Sequence, residues 1–272
     1  MKEVLKIFET TMKQEVQSIC IFPGGFSNNN YLINNDYIMR RKKIYIQPFY
    51  DSICEKGIEE FLKDKNITIP CYYIDDKGTK ITPYIRNGVR LLKNSTYLDH
   101  IKLIARKLKS LHSIDYKCEK NFSYFDRVVY YREEAFVHKH PLEEEIITLY
   151  NKYASIYPLV PCHNDLNESN ILCVGSDVFF IDFECASNNI ALYDIYCFFA
   201  QNNIIDQNIQ NVFLQEYFEN KITFDIKQVT KDFFKINDLI RYYWASMMFK
   251  KFKNKIYLDI ATESFSRLDN NK

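Results

Sequence analysis

A polar segment, HNDLNESN, covers residues 163–170 and holds the side chains best suited to chemistry. Within it Asp165 offers a carboxylate, and Asn170 offers an amide five residues later. The apolar run ILCV, the turn GSD and a second apolar run VFFI follow, and Asp182 comes directly after the second run. Two short apolar runs joined by a turn that contains glycine predict a β-hairpin. Because a hairpin brings its open ends together, we expect Asn170 and Asp182 to be neighbours in space.

These residue types suit a divalent cation. Mg²⁺ prefers oxygen ligands and is usually held by one or two carboxylates together with substrate phosphates. In protein kinases an Asp and an Asn at the same interval accept the substrate hydroxyl proton and hold metal, and a metal-binding Asp opens the next motif, DFG. The tripeptide that begins at Asp182 here is DFE. A polar turn followed by a core hairpin is the alternative interpretation, and the presence of all these parts together argues against it.

The segments CHNDLNESNIL and FIDFECASNNIALYDI resemble the choline/ethanolamine kinase family, including its bacterial LicA-type branch. That family lies within the aminoglycoside-phosphotransferase superfamily. The resemblance implies that Asp165 is the catalytic base and that Asn170 and Asp182 bind Mg²⁺. It also implies that Asn167 lies near the reacting hydroxyl. Glu184, from the same motif, is expected to contact the acceptor substrate.

The resemblance implies an α+β fold with two lobes, like that of protein kinases. The first lobe, residues 1–86, is expected to bind ATP with a small antiparallel sheet and one helix. The second, residues 87–272, is expected to be mainly helical and to carry the catalytic and acceptor-binding residues. Strands on either side of the DDKG turn predict a hairpin that leads to the boundary. The backbone of Tyr84 and Ile85 should then face adenine.

The segment GGFSNNN lies between two predicted strands, where a Gly-Gly turn lets backbone N–H groups approach a phosphate. A plain hairpin is the alternative for this turn taken alone. In context it resembles the family's loop over the ATP phosphates, with Ser27 and Asn28 at the polar positions. Arg40 ends the third strand and matches the family's phosphate-binding basic residue.

A helix is predicted over the following segment, DSICEKGIEEFLKDK, and it should supply the carboxylate that pairs with this basic residue. Glu55 is the predicted partner by its spacing. Glu59 and Glu60 remain alternatives.

The predicted helix over residues 229–253 resembles the family's W-x-x-W-A/S helix, whose aromatic rings help to enclose a quaternary ammonium group. Trp244 matches the second Trp of that pattern, and Arg241 occupies the first position. Tyr243 and Tyr257 are predicted partners of Trp244. Packing in the core is the alternative for these rings. Two further departures, Cys185 for a Tyr and Gln201 for an acidic residue, also reduce the expected cation pocket.

The net charge of +1 gives no electrostatic argument for binding to nucleic acid or to a membrane. The eight cysteines form no C-x-x-C pair and are expected to be reduced thiols in a cytoplasmic protein. The first residues predict a surface helix over 3–15, with Val4, Leu5, Phe8 and Met12 along one stripe. No signal peptide or membrane-spanning run is predicted.

The sequence therefore predicts an ATP- and Mg²⁺-dependent kinase that phosphorylates the hydroxyl of a small amino alcohol. Choline is the favoured acceptor, and ethanolamine comes next. An aminoglycoside kinase of the same fold and a nucleotide-binding pseudokinase remain alternatives, although the retention of Asp165, Asn170 and Asp182 argues against the pseudokinase. No partner beyond the small-molecule substrate is predicted, and the oligomeric state is left open.

Overall fold

The computed structural model describes residues 2–23, 28–43, 48–91 and 96–270. The chain forms two compact units, one of residues 1–120 with 168–187 and one of residues 121–167 with 188–272. The helices and strands of the first unit are α1 (Lys2–Met12), β1 (Ile19–Phe22), β2 (Asn28–Ile33), β3 (Tyr37–Lys42), α2 (Ser52–Leu62), β4 (Tyr73–Ile74), β5 (Lys80–Pro83), β6 (Val89–Arg90), α3 (Tyr97–His112), β8 (Ile171–Val174) and β9 (Asp177–Phe180). The predicted lobe boundary after Arg86 stays a prediction.

The remaining helices and strands belong to the second unit, except that Ser187, the first residue of β10, belongs to the first. They are α4 (Tyr124–Ala135), α5 (Glu143–Ile156), β7 (Leu159–Cys162), β10 (Ser187–Ile190), α6 (Ala191–Gln201), α7 (Gln207–Phe218), α8 (Ile226–Phe252) and α9 (Lys255–Asp269). Strands β7 and β10 form a two-stranded sheet. Helix α6 is almost wholly buried, and Tyr196 on it stacks on Phe233 of α8 with ring centroids 5.3 Å apart. Across the described ranges, no helix combines the length and apolar character needed to span a membrane.

The main sheet of the first unit has five antiparallel strands in the order β1-β2-β3-β5-β4. Helix α1 covers one face of this sheet. It ends at Met12, three residues before the predicted end, and its Val4 and Phe8 are buried as the stripe predicted. The resulting core consists of Val4, Phe8, Ile33, Met39 and Ile81. The antiparallel sheet and the helical second unit confirm the predicted α+β class.

The predicted hairpin is also confirmed. Strands β8 and β9 pair antiparallel from Ile171↔Phe180 to Val174↔Asp177, and Gly175 makes the turn with a φ of 59°. Lys107 of α3 fastens the hairpin, because its ammonium group donates to the Val178 carbonyl and lies 2.6 Å from the Asp177 carboxylate. The turn end of the hairpin is therefore held against α3 of its own unit.

The cysteines differ from the prediction. Cys54 of α2 and Cys118 are joined by a disulfide, whereas the other six cysteines form none. The two partners are 64 residues apart in the chain, and only the tertiary structure brings them together. No spacing motif could have indicated this pair.

The packing of α1 predicts that Phe8→Ala lowers the free energy of unfolding by ~3–5 kcal/mol, the usual cost of truncating a buried Phe. Phe125→Ala is the matched control, since Phe125 is 54% exposed on α4, and it should cost about 1 kcal/mol or less. Urea denaturation of both variants measures the difference. Equal losses would contradict the buried position of Phe8.

Candidate active site

The β8–β9 hairpin places Asn170 and Asp182 at the same end. Ile181 N–H donates to the Asn170 carbonyl at 3.0 Å. Asp182 directly follows Ile181, so its backbone lies next to that of Asn170. Asp182 has a left-handed backbone (φ 68°, ψ 61°), which turns the chain from β9 into a 3₁₀ turn over 183–185. A non-glycine residue in this region is uncommon and often marks a functional position. The predicted proximity of these two residues is confirmed.

Arg40 lies on β3, which continues to Lys42 instead of ending at Arg40 as predicted, and it makes two ion pairs. Its Nη2 lies 2.6 Å from both carboxylate oxygens of Glu55, and its Nη1 lies 2.5 Å from Asp182 Oδ1. The Arg40 side chain is 9% exposed and that of Glu55 is fully buried. Burial alone would lower the pKa of Arg40, but the Glu55 and Asp182 carboxylates raise it above its usual value. Arg40 is therefore a permanent, oriented cation beside Asp182.

Helix α2 supplies the carboxylate because of its position against the sheet. Arg40 on β3 faces Lys80 on β5 in register, and like charges directly opposite each other repel. Glu55 and Glu59, one helical turn apart, face these two cations: Lys80 pairs with Glu59 and lies 3.9 Å from Glu55. Glu60 is exposed on the other side of the helix. The partner of Arg40 is thus Glu55, and Lys80 is a buried cation that the sequence prediction missed.

Asn28 and Glu184 extend this cluster. Asn28, the first residue of β2, donates its side-chain amide to Glu184 Oε2 at 3.0 Å. The Glu184 carbonyl accepts from the N–H of Asp51, which caps α2. Burial and the neighbouring Asp182 carboxylate raise the pKa of Glu184 to about 8. Glu184, predicted to contact the acceptor, therefore lies among the predicted nucleotide-binding residues.

The donor set of this cluster fits Mg²⁺. The guanidinium of Arg40 is the cation that interacts with the carboxylates of both Asp182 and Glu184. It also pairs with Glu55. The cluster is short of positive charge, and Asn170, whose backbone carbonyl accepts from the residue before Asp182, can add a neutral amide oxygen. Hard oxygen donors with an excess of negative charge are what Mg²⁺ requires. Asn170 and Asp182 would hold the ion.

The other nucleotide predictions have mixed outcomes. Ser27 and the Gly-Gly turn lie outside the described residues. Tyr84 and Ile85 follow β5 as expected, but Tyr84 N–H donates to the Asp36 carbonyl at 2.7 Å, and the Ile85 carbonyl accepts from Gly88. Because its N–H is already used, Tyr84 would contact adenine through its carbonyl group.

In the second unit, the loop that carries Asp165 is held by Asp194. The two carboxylate oxygens of Asp194 accept the backbone N–H groups of His163 and Asn164, each at 2.7 Å, and Asp194 is fully buried. Asp194 therefore braces this loop through its backbone. Asp165 Oδ1 accepts from the side-chain amides of Asn167 at 3.2 Å and Gln201 at 3.1 Å. The loop and its carboxylate are therefore ordered by hydrogen bonds from the protein itself.

Three aromatic residues were predicted to enclose a cation. Trp244 and Tyr257 form a perpendicular pair with ring centroids 5.7 Å apart, and Trp244 is the more exposed of the two. Tyr243 is different, because it has no exposed surface and its hydroxyl donates to Glu143 at 2.6 Å and accepts from His140 N–H. The prediction for Tyr243 is therefore corrected: it is a packing residue that links α8 to α5.

Residues 18–229 match the family model of the phosphotransferase enzyme family, APH. The match spans most of the chain, so the chain belongs to this family and is a small-molecule kinase. The resemblance drawn from the motifs is confirmed.

More specific similarities point in the same direction. The LicA homolog of Metamycoplasma hominis is 25% identical over 229 residues, which are 82% of this chain and 88% of that protein. The solved choline kinase LicA from Streptococcus pneumoniae is 18% identical, with a TM-score of 0.77 over 99% of this chain and 98% of its own. A choline/ethanolamine kinase family protein from Mesorhizobium loti is 15% identical, with a TM-score of 0.78 over 99% and 93%. These two structures confirm the kinase-like fold.

The ion pairs of Arg40 predict the effect of Glu55→Gln. Removing one charge of a buried pair leaves the other uncompensated, so the free energy of unfolding should fall by ~3–5 kcal/mol. Glu60→Gln, on the exposed face of the same helix, should change it by about 0.5 kcal/mol or less. Chemical denaturation compares the two. A variant at Glu55 as stable as the one at Glu60 would show that the pair does not contribute.

Proposed function

We propose that this phosphotransferase moves the γ-phosphate of ATP to the hydroxyl of a small amino alcohol, with choline as the favoured acceptor. The observation that carries the first part is the bridge made by Arg40 between Glu55 and Asp182. This bridge joins a phosphate-binding cation to a metal-binding carboxylate, as phosphoryl transfer requires. The names of the similar proteins, LicA and choline kinase, support the second part.

The roles follow from what each side chain offers. Arg40 would bind the α- and β-phosphates, with Glu55 holding its guanidinium in place. Asn28, the first residue of β2, and Ser27, which precedes it in the sequence, would contribute further contacts to the phosphates. Bound at Asn170 and Asp182, Mg²⁺ would neutralise charge on the triphosphate. Such positioning and electrostatic stabilisation supply most of the catalysis in phosphoryl transfer.

Asp165 would accept the proton of the acceptor hydroxyl, which then attacks the γ-phosphorus of ATP and displaces ADP. Asp194 accepts two backbone N–H groups of the loop, and these bonds fix the position of the backbone just before Asp165. The Asn167 amide would remain near the reacting hydroxyl. Base assistance of this kind contributes about 10²–10⁴-fold.

The choline assignment depends on Trp244 among the aromatic residues, because Tyr257 is buried. A quaternary ammonium has no N–H to donate and is recognised by aromatic faces, each contact contributing ~0.5–2 kcal/mol. Trp244 is the partly exposed ring of the pair, so it is the ring that a cation would contact, with Tyr257 packed against it. Ethanolamine and aminoglycosides carry N–H donors and would be recognised by polar acceptors instead.

A direct screen tests this proposal. Purified enzyme is incubated with ATP and Mg²⁺ and with choline, ethanolamine, thiamine or kanamycin, and the phosphorylated product is identified by ³¹P NMR. We expect phosphocholine to form fastest. Transfer to kanamycin alone would favour an aminoglycoside kinase, and nucleotide binding without transfer to any alcohol would favour a pseudokinase.

Asp165→Ala should keep its affinity for MgATP and lose turnover by roughly 10²–10⁴-fold, because only the proton acceptor is removed. Initial rates and MgATP calorimetry on the same sample separate the two effects. Near-normal turnover of the variant would remove Asp165 from the mechanism.

Asp182→Asn takes one negative charge from the proposed Mg²⁺ site and should raise the Mg²⁺ concentration needed for half-maximal ATP binding. The measurement is ATP calorimetry over a series of Mg²⁺ concentrations. Asp177→Asn, at the far end of the same hairpin, is the control. If Asp182→Asn and the parent enzyme share one half-saturation, Asp182 is not a ligand.

Trp244→Ala should raise the Michaelis constant for choline about ten-fold or more, which corresponds to the loss of ~1.4 kcal/mol of cation–π binding. Trp244→Phe keeps a ring face and should lose less. The Michaelis constant for ATP should barely change in either variant. Equal weakening of ATP and choline, or an unfolded Trp244→Ala protein, would make Trp244 a core residue.

A further inference from the structure

Gln201 is the last residue of α6, and its amide reaches the proposed base. Its Nε2 donates to Asp165 Oδ1 at 3.1 Å, and the Asn167 amide donates to the same oxygen at 3.2 Å. An ionised carboxylate only accepts hydrogen bonds, so two amide donors match its chemistry. Two donors on one oxygen also fix the plane of the carboxylate, and with it the direction of the second oxygen.

Gln201 belongs to a stripe on α6 that faces the loop. Asp194, Cys197 and Gln201 are spaced by three, four and seven residues, which places them on one face of a helix. Asp194 accepts two backbone N–H groups of the loop, the Cys197 thiol contacts the Asn164 carbonyl at 3.7 Å, and Gln201 contacts Asp165. The helix thus holds residues 163–165 in order along two of its turns.

The C-terminal end of α6, which carries Gln201, is itself held in place by hydrogen bonds. The side-chain amide of Asn202 donates to the Leu166 carbonyl at 2.9 Å and to the Phe198 carbonyl at 2.7 Å. Arg241 of α8 donates to the Ala200 carbonyl at 3.0 Å. Because residues on both sides of Gln201 are bonded to the loop or to α8, its amide approaches Asp165 from a fixed backbone.

The geometry points to Gln201 as a positioning residue that orients the Asp165 carboxylate toward the acceptor hydroxyl. This inference rests on the proposed function, in which Asp165 is the base. Several members of the family that the chain resembles carry an acidic residue here. A carboxylate could not donate to Asp165, and two carboxylates at this distance would repel each other. The Gln201 amide therefore donates a hydrogen bond to the base, and residue 201 offers no negative charge to the acceptor.

Kinetics of Gln201→Ala and Gln201→Glu test the inference, with Gln215→Glu on the exposed face of α7 as the matched control. We expect kcat to fall about tenfold or more in Gln201→Ala, as for a lost hydrogen bond to a charged group, and further in Gln201→Glu. The Michaelis constant for ATP should stay within about twofold. In the Asp165→Ala background, Gln201→Ala should cause no further loss, because the carboxylate that it orients is gone.

An equal loss of kcat in the Asp165→Ala background would overturn the inference, and so would a rise in the acceptor Michaelis constant with kcat unchanged. The second outcome would make Gln201 an acceptor contact.

A readout without acceptor separates this inference from the proposed function. In ¹⁵N-labelled protein, Asp165→Ala should shift the side-chain amide resonances of Gln201 and Asn167 and leave that of Gln215 in place. If the parent enzyme phosphorylates no alcohol but the Gln201 resonance shifts, the proposed function fails and the contact stands. If the resonance does not move, the contact with Asp165 is absent and the inference is wrong.

Discussion

The charge of Arg40 is the constraint on which the first unit depends. A guanidinium that is 9% exposed is tolerated only when carboxylates compensate it, since an unpaired buried charge is very costly. Glu55 comes from α2 and Asp182 from the end of the β8–β9 hairpin, so both elements must meet β3 at this point. Lys80 on the neighbouring strand adds a second cation, and Glu59 balances it. The way in which β3, β5, α2 and the hairpin meet therefore follows from the need to compensate a few buried charges.

The ion pairs that stabilise this unit also involve the residues suited to bind a nucleotide and its metal. Arg40 and Asp182 are bonded to each other in this structure, yet the first is suited to phosphate and the second to a cation. A nucleotide with its metal would offer each of them a partner of opposite charge. Burial, and then the neighbouring Asp182 carboxylate, raise the pKa of Glu184 in the same cluster. A pre-organised cluster of this kind needs little rearrangement when a charged ligand binds.

In the second unit, hydrogen bonds hold the loop that carries Asp165. Asp194 is fully buried, and both of its carboxylate oxygens accept hydrogen bonds from backbone N–H groups of the loop. Asn164 has a left-handed backbone with a φ of 62°, and its side-chain oxygen accepts from the Asn189 amide at 2.8 Å. Residues 163–165 of the loop are thus each bonded to a residue of α6 or β10. The proposed base is thus presented by a rigid support.

Local patterns in the sequence were enough for the parts that depend on the adjacent chain. Two short apolar runs around Gly175 predicted the hairpin, and helical spacing predicted the buried stripe of α1. Glu55 was predicted as the partner of Arg40 by its spacing, with Glu59 and Glu60 as alternatives, and it is the glutamate that pairs with Arg40.

Other features could not be predicted, since they depend on contacts between distant segments. Lys80 reads as a strand-end charge until its register with Arg40 is known. Tyr243 lies beside Trp244 in the chain, yet the rotation of α8 sends its ring into the interior. The Cys54–Cys118 pair and the Gln201–Asp165 contact likewise join segments that no local motif connects.

A crystal of the protein grown with Mn²⁺ and a non-hydrolysable ATP analogue would test the central assignment most directly. Anomalous scattering from Mn²⁺ locates the metal without reference to activity. We expect the peak within bonding distance of the Asn170 side-chain oxygen and the Asp182 carboxylate, with a phosphate oxygen on the Arg40 guanidinium. A peak away from both ligands, or a triphosphate that does not touch Arg40, would contradict the assignment of this cluster as the nucleotide and metal site.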